Sequence, residues 1–190
     1  MNKMCLEFDI KQSKLGLKFV AALNVAFKAH EKQKRKNGED YIQHCIRVAN
    51  ATMNCYKNSE SVGDYACIAI LHDTIEDTDT KSEELEELFG KKIRRLVEEV
   101  TDDKSLPKDE RKRRQIEHAN ELSSDAALIK LGDKISNVLD VTNNPPANWD
   151  IERRQDYFDW AEAVVNNLPK INPALEDYFS KVVETGREKL

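Results

Sequence analysis

An all-α fold is what this sequence predicts, and three observations predict it. Apolar residues recur three and four apart, as in Leu15, Phe19, Leu23, Ala26 and Phe27, in Ile42, Ile46, Ala49 and Met53, and in Ala66, Ile70 and Leu71. No run of alternating β-branched residues bounded by turns competes with that period. Helix starts and stops punctuate the chain at the intervals a bundle needs. In chain order, "KNGED" at 36–40 is a turn after the first helical stretch, and "YACIAI" at 65–70 reads as a buried helix. Thr80 with Glu83 forms a candidate capping box for the next helix, and Gly90 is a candidate C-cap. Pro107 stands near another start, and "NNPP" at 143–146 marks a later stop. About seven to nine helices are expected on this count of signals. The acidic "EELEE" at 83–87 reads as a solvated amphipathic face with Leu85, Leu88 and Phe89 beneath it, and not as a cation site.

At 190 residues the chain fits one domain, 1–190, with no internal repeat and no low-complexity tail. Its 35 acidic and 30 basic residues leave a net charge of -5. That balance argues against nucleic acid or an anionic membrane surface as the main partner, so a phosphate-binding site has to be a local basic pocket. No apolar run approaches the roughly 20 residues that span a bilayer, and the N-terminus has no signal-peptide pattern. Cys5, Cys45, Cys55 and Cys67 show no metal-binding spacing, which fits reduced thiols in a cytoplasmic, soluble protein. The oligomeric state is left open.

The stretch "LHDTIEDTDT" at 71–80 sets costly ionisable groups beside an apolar helix. Unpaired buried charge is unfavourable, whereas a bound cation makes such a cluster favourable. On an ideal helix with about 100° per residue, His72, Asp73, Glu76 and Asp77 fall at roughly 0, 100, 40 and 140°, so one wall carries all four. An isolated His-Asp pair is more commonly an ordinary acidic helix terminus. Two further residues change the balance: His44 in "YIQHCIRVA" and Asp133 in "LIKLGDKISNVLD" each interrupt apolar helical patterning. Together the four complete a two-His, two-Asp shell, and Glu76 and Asp77, one turn further on, stand where carboxylates that support the ligands or activate water would be needed. Nitrogen and carboxylate donors without thiolate suit Mn²⁺, Fe²⁺ or Zn²⁺ better than Ca²⁺. With four histidines in all, His30, His44, His72 and His118, one metal is expected.

The segments "HEKQKRKNGEDYIQH", "AILHDTIEDTDT", "FGKKIRRLVEEVTDD", "ERKRRQ", "ALIKLGDKISNVLD" and "YFDWAEAV" occur in a characteristic order and spacing. In this the chain resembles the HD-superfamily hydrolase domain of RelA/SpoT proteins from about residue 14 to about residue 180, and most of all the small stand-alone alarmone hydrolases of bacteria and metazoans. The combination is far more specific than the His-Asp pair alone. The resemblance implies an all-α domain that binds Mn²⁺, one per chain, and removes the 3′-pyrophosphate of ppGpp or pppGpp to leave GDP or GTP. It implies His44, His72, Asp73 and Asp133 as metal ligands and Glu76 and Asp77 as the pair that readies water. It also implies Arg35, Lys36 and Asn137 as nucleotide contacts, with Lys108, Arg153 and Tyr157 at further substrate-contacting positions.

Two positions depart from the family pattern. Cys45 stands where a Pro usually follows the first metal histidine, which predicts a looser turn. Ser136 stands where an aromatic or His residue is common, which predicts weaker base or ribose packing. The chain length predicts hydrolysis without a synthetase. The rival readings are a phosphatase acting on another 2′- or 3′-phosphorylated nucleotide such as NADPH, and a catalytically silent nucleotide-binding module. Glu76 and Asp77 both being present speaks against the silent module.

Overall fold

Ten α-helical segments and one 3₁₀ turn account for the described secondary structure, with no strand beyond a single bridge between Lys34 and Asp40. The computed structural model describes the backbone of residues 3–55 and 62–190 and the side chains of residues 16–53 and 62–190. Leu15, Cys5 and Cys55, singled out above, lie outside the described side chains. The helices are α1 Lys3–Ala29, α2 Tyr41–Cys55, α3 Val62–Leu71, α4 Thr74–Asp77, α5 Ser82–Phe89, α6 Lys91–Val100, α7 Lys108–Glu117, α8 Ser124–Asn143, α9 Ile151–Asn167 and α10 Pro173–Glu188. Segment α4 is one turn of four residues, so nine longer helices remain among the described residues. None of the described helices is long and apolar enough to cross a membrane.

The all-helical expectation holds, and the local reasons are visible. Every residue of α3 from Gly63 to Leu71 except Asp64 is buried, as befits a helix apolar on all sides. Ser123, Asp150 and Asn172 each accept a hydrogen bond from the backbone N–H three residues on, which starts α8, α9 and α10, and Pro173 occupies the first turn of α10. Gly90, at φ 88°, ends α5 and donates its N–H to Glu86 O. The capping box differs from expectation by one residue. Lys81 is the N-cap of α5, and Glu84 accepts from Lys81 N at 3.0 Å, while Thr80 is engaged with Thr78. Leu85 and Phe89 are buried as expected, but Leu88 is exposed, and so is Phe27 on α1.

Among the described residues, two groups of buried side chains make the core. One joins α1, α2, α3, α5 and α6; the other joins α8, α9 and α10. Helix α8 belongs to both, giving Ala126 and Ile129 to the first and Leu128, Leu131, Ile135 and Val138 to the second. At 20 residues it is about 30 Å long, enough to carry a side chain from one group to the other. Where α8 crosses α2, Gly132 permits close approach: a Cβ there would lie 3.1 Å from Thr52 Oγ1. The neighbour of that glycine is Asp133, so the tight crossing brings Asp133 to α2 and to His44.

Candidate functional site

Four side chains from three places in the fold meet at this crossing. His44 comes from α2, His72 and Asp73 from the link between α3 and α4, and Asp133 from α8. Contrary to the single-helix expectation, the helix breaks at His72–Asp73. Thr74 Oγ1 donates to Leu71 O at 2.7 Å and His72 Nδ1 lies 2.8 Å from Ala69 O, so side chains satisfy the last carbonyls of α3. Asp73 sits at φ −98° and ψ −1°, the bridge region common at functional turns. Helical bonding then resumes with Asp77 N donating to Asp73 O at 2.8 Å. Since a carbonyl only accepts, His72 carries a proton on Nδ1 and turns Nε2 inward, the nitrogen left to bind a cation when one is present.

The donor atoms are close. His44 Nε2 is 3.4 Å from Asp73 Oδ2 and 3.3 Å from Asp133 Oδ1; His72 Nε2 is 3.0 Å from Asp73 Oδ2 and 3.9 Å from Asp133 Oδ1. Donors bound to one cation at about 2.1 Å stand about 3.0–3.4 Å apart, so the spacing suits one ion. Both Nε2 atoms are buried without a hydrogen-bond partner. Such orphaned nitrogens facing carboxylates are what a divalent cation would satisfy, and the residues therefore fit a metal. Burial pushes the His72 imidazole down, but Asp73 and Asp133 outweigh it and lift it to about 9. Burial likewise opposes ionisation of Asp73 and Asp133; the imidazoles hold Asp73 well below the usual carboxylate range, and Lys134 with the imidazoles does so for Asp133. The site calls for positive charge. Cys45 Sγ also approaches His72 and Asp73, but burial holds its thiol well above its ordinary value.

Beside this shell stand Glu76 and Asp77. Asp102 N donates to Glu76 Oε2 at 2.8 Å, and Lys104 Nζ lies 3.2 Å from Glu76 Oε1 and 2.5 Å from Asp77 Oδ1. Tyr41 OH is 2.6 Å from Asp77 Oδ2. Burial, reinforced by the charges of Asp102 and Asp73, raises Glu76 above an ordinary glutamate.

All the metal, catalytic and substrate positions named from the sequence line one cavity of about 660 Å³, within the size range of small-molecule sites. Arg35 Nη2 donates to Asn137 Oδ1 at 2.5 Å and to Asp140 Oδ2 at 3.0 Å, and Asn137 Nδ2 donates to Asp133 Oδ1 at 2.6 Å. Arg35 is thereby linked through Asn137 to the acidic shell. Farther along, Lys36 and Arg153 lie over the Trp149 ring at 5.4 and 4.7 Å, and Tyr157 stands between Trp149 and Trp160 at 5.5 and 5.4 Å. Burial, then the charges of Lys108, Arg153, Arg35 and Lys112, hold the Lys36 amine below its usual value. Cations crowded around Lys36 in this way favour an anionic ligand. Lys104, Arg111, Tyr41, Trp149 and Trp160 are cavity residues that sequence reasoning missed; only the mixed basic and aromatic composition of "DDKSLPKDERKRR" and "NWDIERRQDYFDW" hinted at some of them.

Both departures from the family pattern act differently from expectation. Cys45 lies inside α2, fully buried, so there is no turn for it to loosen. Ser136 is buried, with its Oγ 3.0 Å from His44 Nδ1 and accepting from Arg47 Nε at 3.3 Å. It orients a candidate metal ligand and does not line the cavity.

A family model described as "HD domain" matches residues 22–157. The Danio rerio guanosine-3′,5′-bis(diphosphate) 3′-pyrophosphohydrolase MESH1 is 45% identical over 84% of this chain and 89% of its own length. The Homo sapiens protein of the same name is 45% identical over 82% of this chain and 87% of its own. A solved structure described as a metazoan ortholog of SpoT that hydrolyzes ppGpp and plays a role in starvation responses superposes with a TM-score of 0.82 at 42% identity, covering 88% of this chain and 94% of that one.

Proposed function

We propose that this chain, which belongs to the HD-domain family and to the group of the MESH1 hydrolases within it, is a metal-dependent hydrolase that removes the 3′-pyrophosphate of ppGpp or pppGpp, leaving GDP or GTP. The observation that carries the reading is the pair of orphaned, buried imidazole nitrogens of His44 and His72, facing Asp73 and Asp133 in a cavity whose far end is cationic. The core group shared through α8 supports reading the chain as one domain.

In this reading His44, His72, Asp73 and Asp133 hold one Mn²⁺, which supplies Lewis-acid charge against phosphate oxygens when bound. Glu76, whose pKa burial raises above that of an ordinary glutamate, takes the proton of the attacking water, and Asp77 beside it orients that water. The water oxygen bonds to phosphorus, the bond from phosphorus to the ribose 3′ oxygen breaks, and that oxygen takes up the proton accepted from the water, so no covalent enzyme intermediate is required. Arg35, Lys36, Lys108 and Arg153 meet phosphate oxygens, for which paired N–H donors are suited. Asn137 and Tyr157 line the nucleotide's path.

The test is turnover of ppGpp with added Mn²⁺ and identification of the products. Pyrophosphate with GDP is the expected outcome. Orthophosphate from NADPH with ppGpp untouched would move the assignment to a nucleotide phosphatase, and binding without turnover would make the chain a silent module.

A further inference from the structure

Tyr41 opens α2, and its phenolic oxygen reaches two carboxylates with different work. It lies 2.8 Å from Asp73 Oδ2, in the candidate metal shell, and 2.6 Å from Asp77 Oδ2, in the water-handling pair. A phenol has one proton, so the two oxygens share a single donor. The ring is held from several sides. It stacks on buried His30 at 4.6 Å and 16°, meets His44 edge-on at 5.7 Å, and has the Arg35 guanidinium 5.4 Å from its centroid. His30 is in turn fixed by Gln33, whose Oε1 is 2.7 Å from His30 Nδ1. The hydroxyl is therefore delivered to one place. Asp77 has its other oxygen on Lys104, so Tyr41 and Lys104 between them determine how that carboxylate points.

We propose that Tyr41 is a positioning residue that acts through Asp77, holding its carboxylate for the attacking water and giving it the undivided hydrogen bond once a cation engages Asp73 Oδ2. The inference rests on the hydrolase reading above. It assigns to Tyr41 the coupling between an occupied metal shell and an aligned water-handling acid.

Tyr41→Phe keeps the stacked ring and removes only the hydroxyl. At saturating Mn²⁺ we expect kcat for ppGpp to fall about tenfold or more with KM unchanged, the scale of a lost positioned group. Mn²⁺ affinity, read by calorimetric titration, should stay within about threefold of the parent, since no metal donor is removed. Tyr41→Phe combined with Asp77→Asn should be no slower than Asp77→Asn alone, because the hydroxyl then has no carboxylate to position. A parental kcat, additive losses in the double variant, or Mn²⁺ affinity falling in step with kcat would overturn the proposal. A turnover-free reading separates it from the hydrolase assignment: the ¹³C carboxyl signal of Asp77 should move when diamagnetic Zn²⁺ is added to the parent, and that movement should vanish in Tyr41→Phe. The same movement in both proteins would sink the role of Tyr41, whereas absence of ppGpp turnover in the parent would sink the hydrolase reading alone.

Discussion

Lys104 places its ammonium 3.2 Å from Glu76 Oε1 and 2.5 Å from Asp77 Oδ1, the two carboxylates proposed to handle the water. Glu76 can accept a proton only while ionised, so kcat should fall as pH drops through its pKa, which burial has already raised. Lys104→Met removes a cation that favours the ionised form, and the acid limb of the kcat profile should move to higher pH. An unmoved limb in titrations at saturating metal would take Lys104 out of the control of Glu76. Arg35 allows a second test. Arg47 also contacts Asp140, at 2.9 Å, and can neutralise it in place of Arg35, so Arg35→Ala should leave the melting temperature near the parent value. KM for ppGpp should rise by about tenfold or more, the scale of a lost charge-assisted bond; an unchanged KM would remove Arg35 from the substrate site. His44 and Asp133 were legible in the sequence because each is a polar residue breaking an apolar helical pattern. Tyr41, Lys104 and Ser136 were not. A tyrosine opening a helix, a lysine in a polar loop and a serine in a helix are ordinary in sequence, and they acquire roles only where tertiary packing brings them to Asp77, Glu76 and His44.

At the scale of elements, helical periodicity and stop signals located most helices, since apolar spacing and caps are local properties. What periodicity could not locate was the break at His72–Asp73, because it is made by side chains bonding back to carbonyls of α3. That break lets His72 present Nε2 to the cluster while Asp73 reaches the same point. Helix-to-helix approach is the other property hidden from pattern reading. Gly186 of α10 touches α8 and α9 so closely that an added Cβ would lie 2.6 Å from Thr142 Oγ1 and 2.9 Å from Phe158 Cζ. Gly186→Ala should therefore cost about 1–3 kcal/mol by overpacking, measured by urea unfolding. A loss under about 0.5 kcal/mol would mean that α10 yields without strain.

For the whole molecule, a net charge of -5 coexists with a cavity rich in lysine and arginine. The cavity concentrates these cations around one ligand-sized space, where their field acts on a single bound anion. Helix α8 joins the two core groups and carries Asp133 and Asn137, so the packing that links the groups also places these two site residues. The central claim is that metal binding and proton handling are separate tasks of neighbouring carboxylates. The most direct test pairs metal content by elemental analysis with single-turnover hydrolysis of ppGpp at saturating Mn²⁺ in the parent, Asp73→Ala and Glu76→Ala. The account predicts one metal in the parent and in Glu76→Ala, loss of metal in Asp73→Ala, and hydrolysis slowed by about 10²-fold or more in Glu76→Ala. Metal loss in Glu76→Ala, or near-parental turnover by that variant with its metal in place, would contradict it.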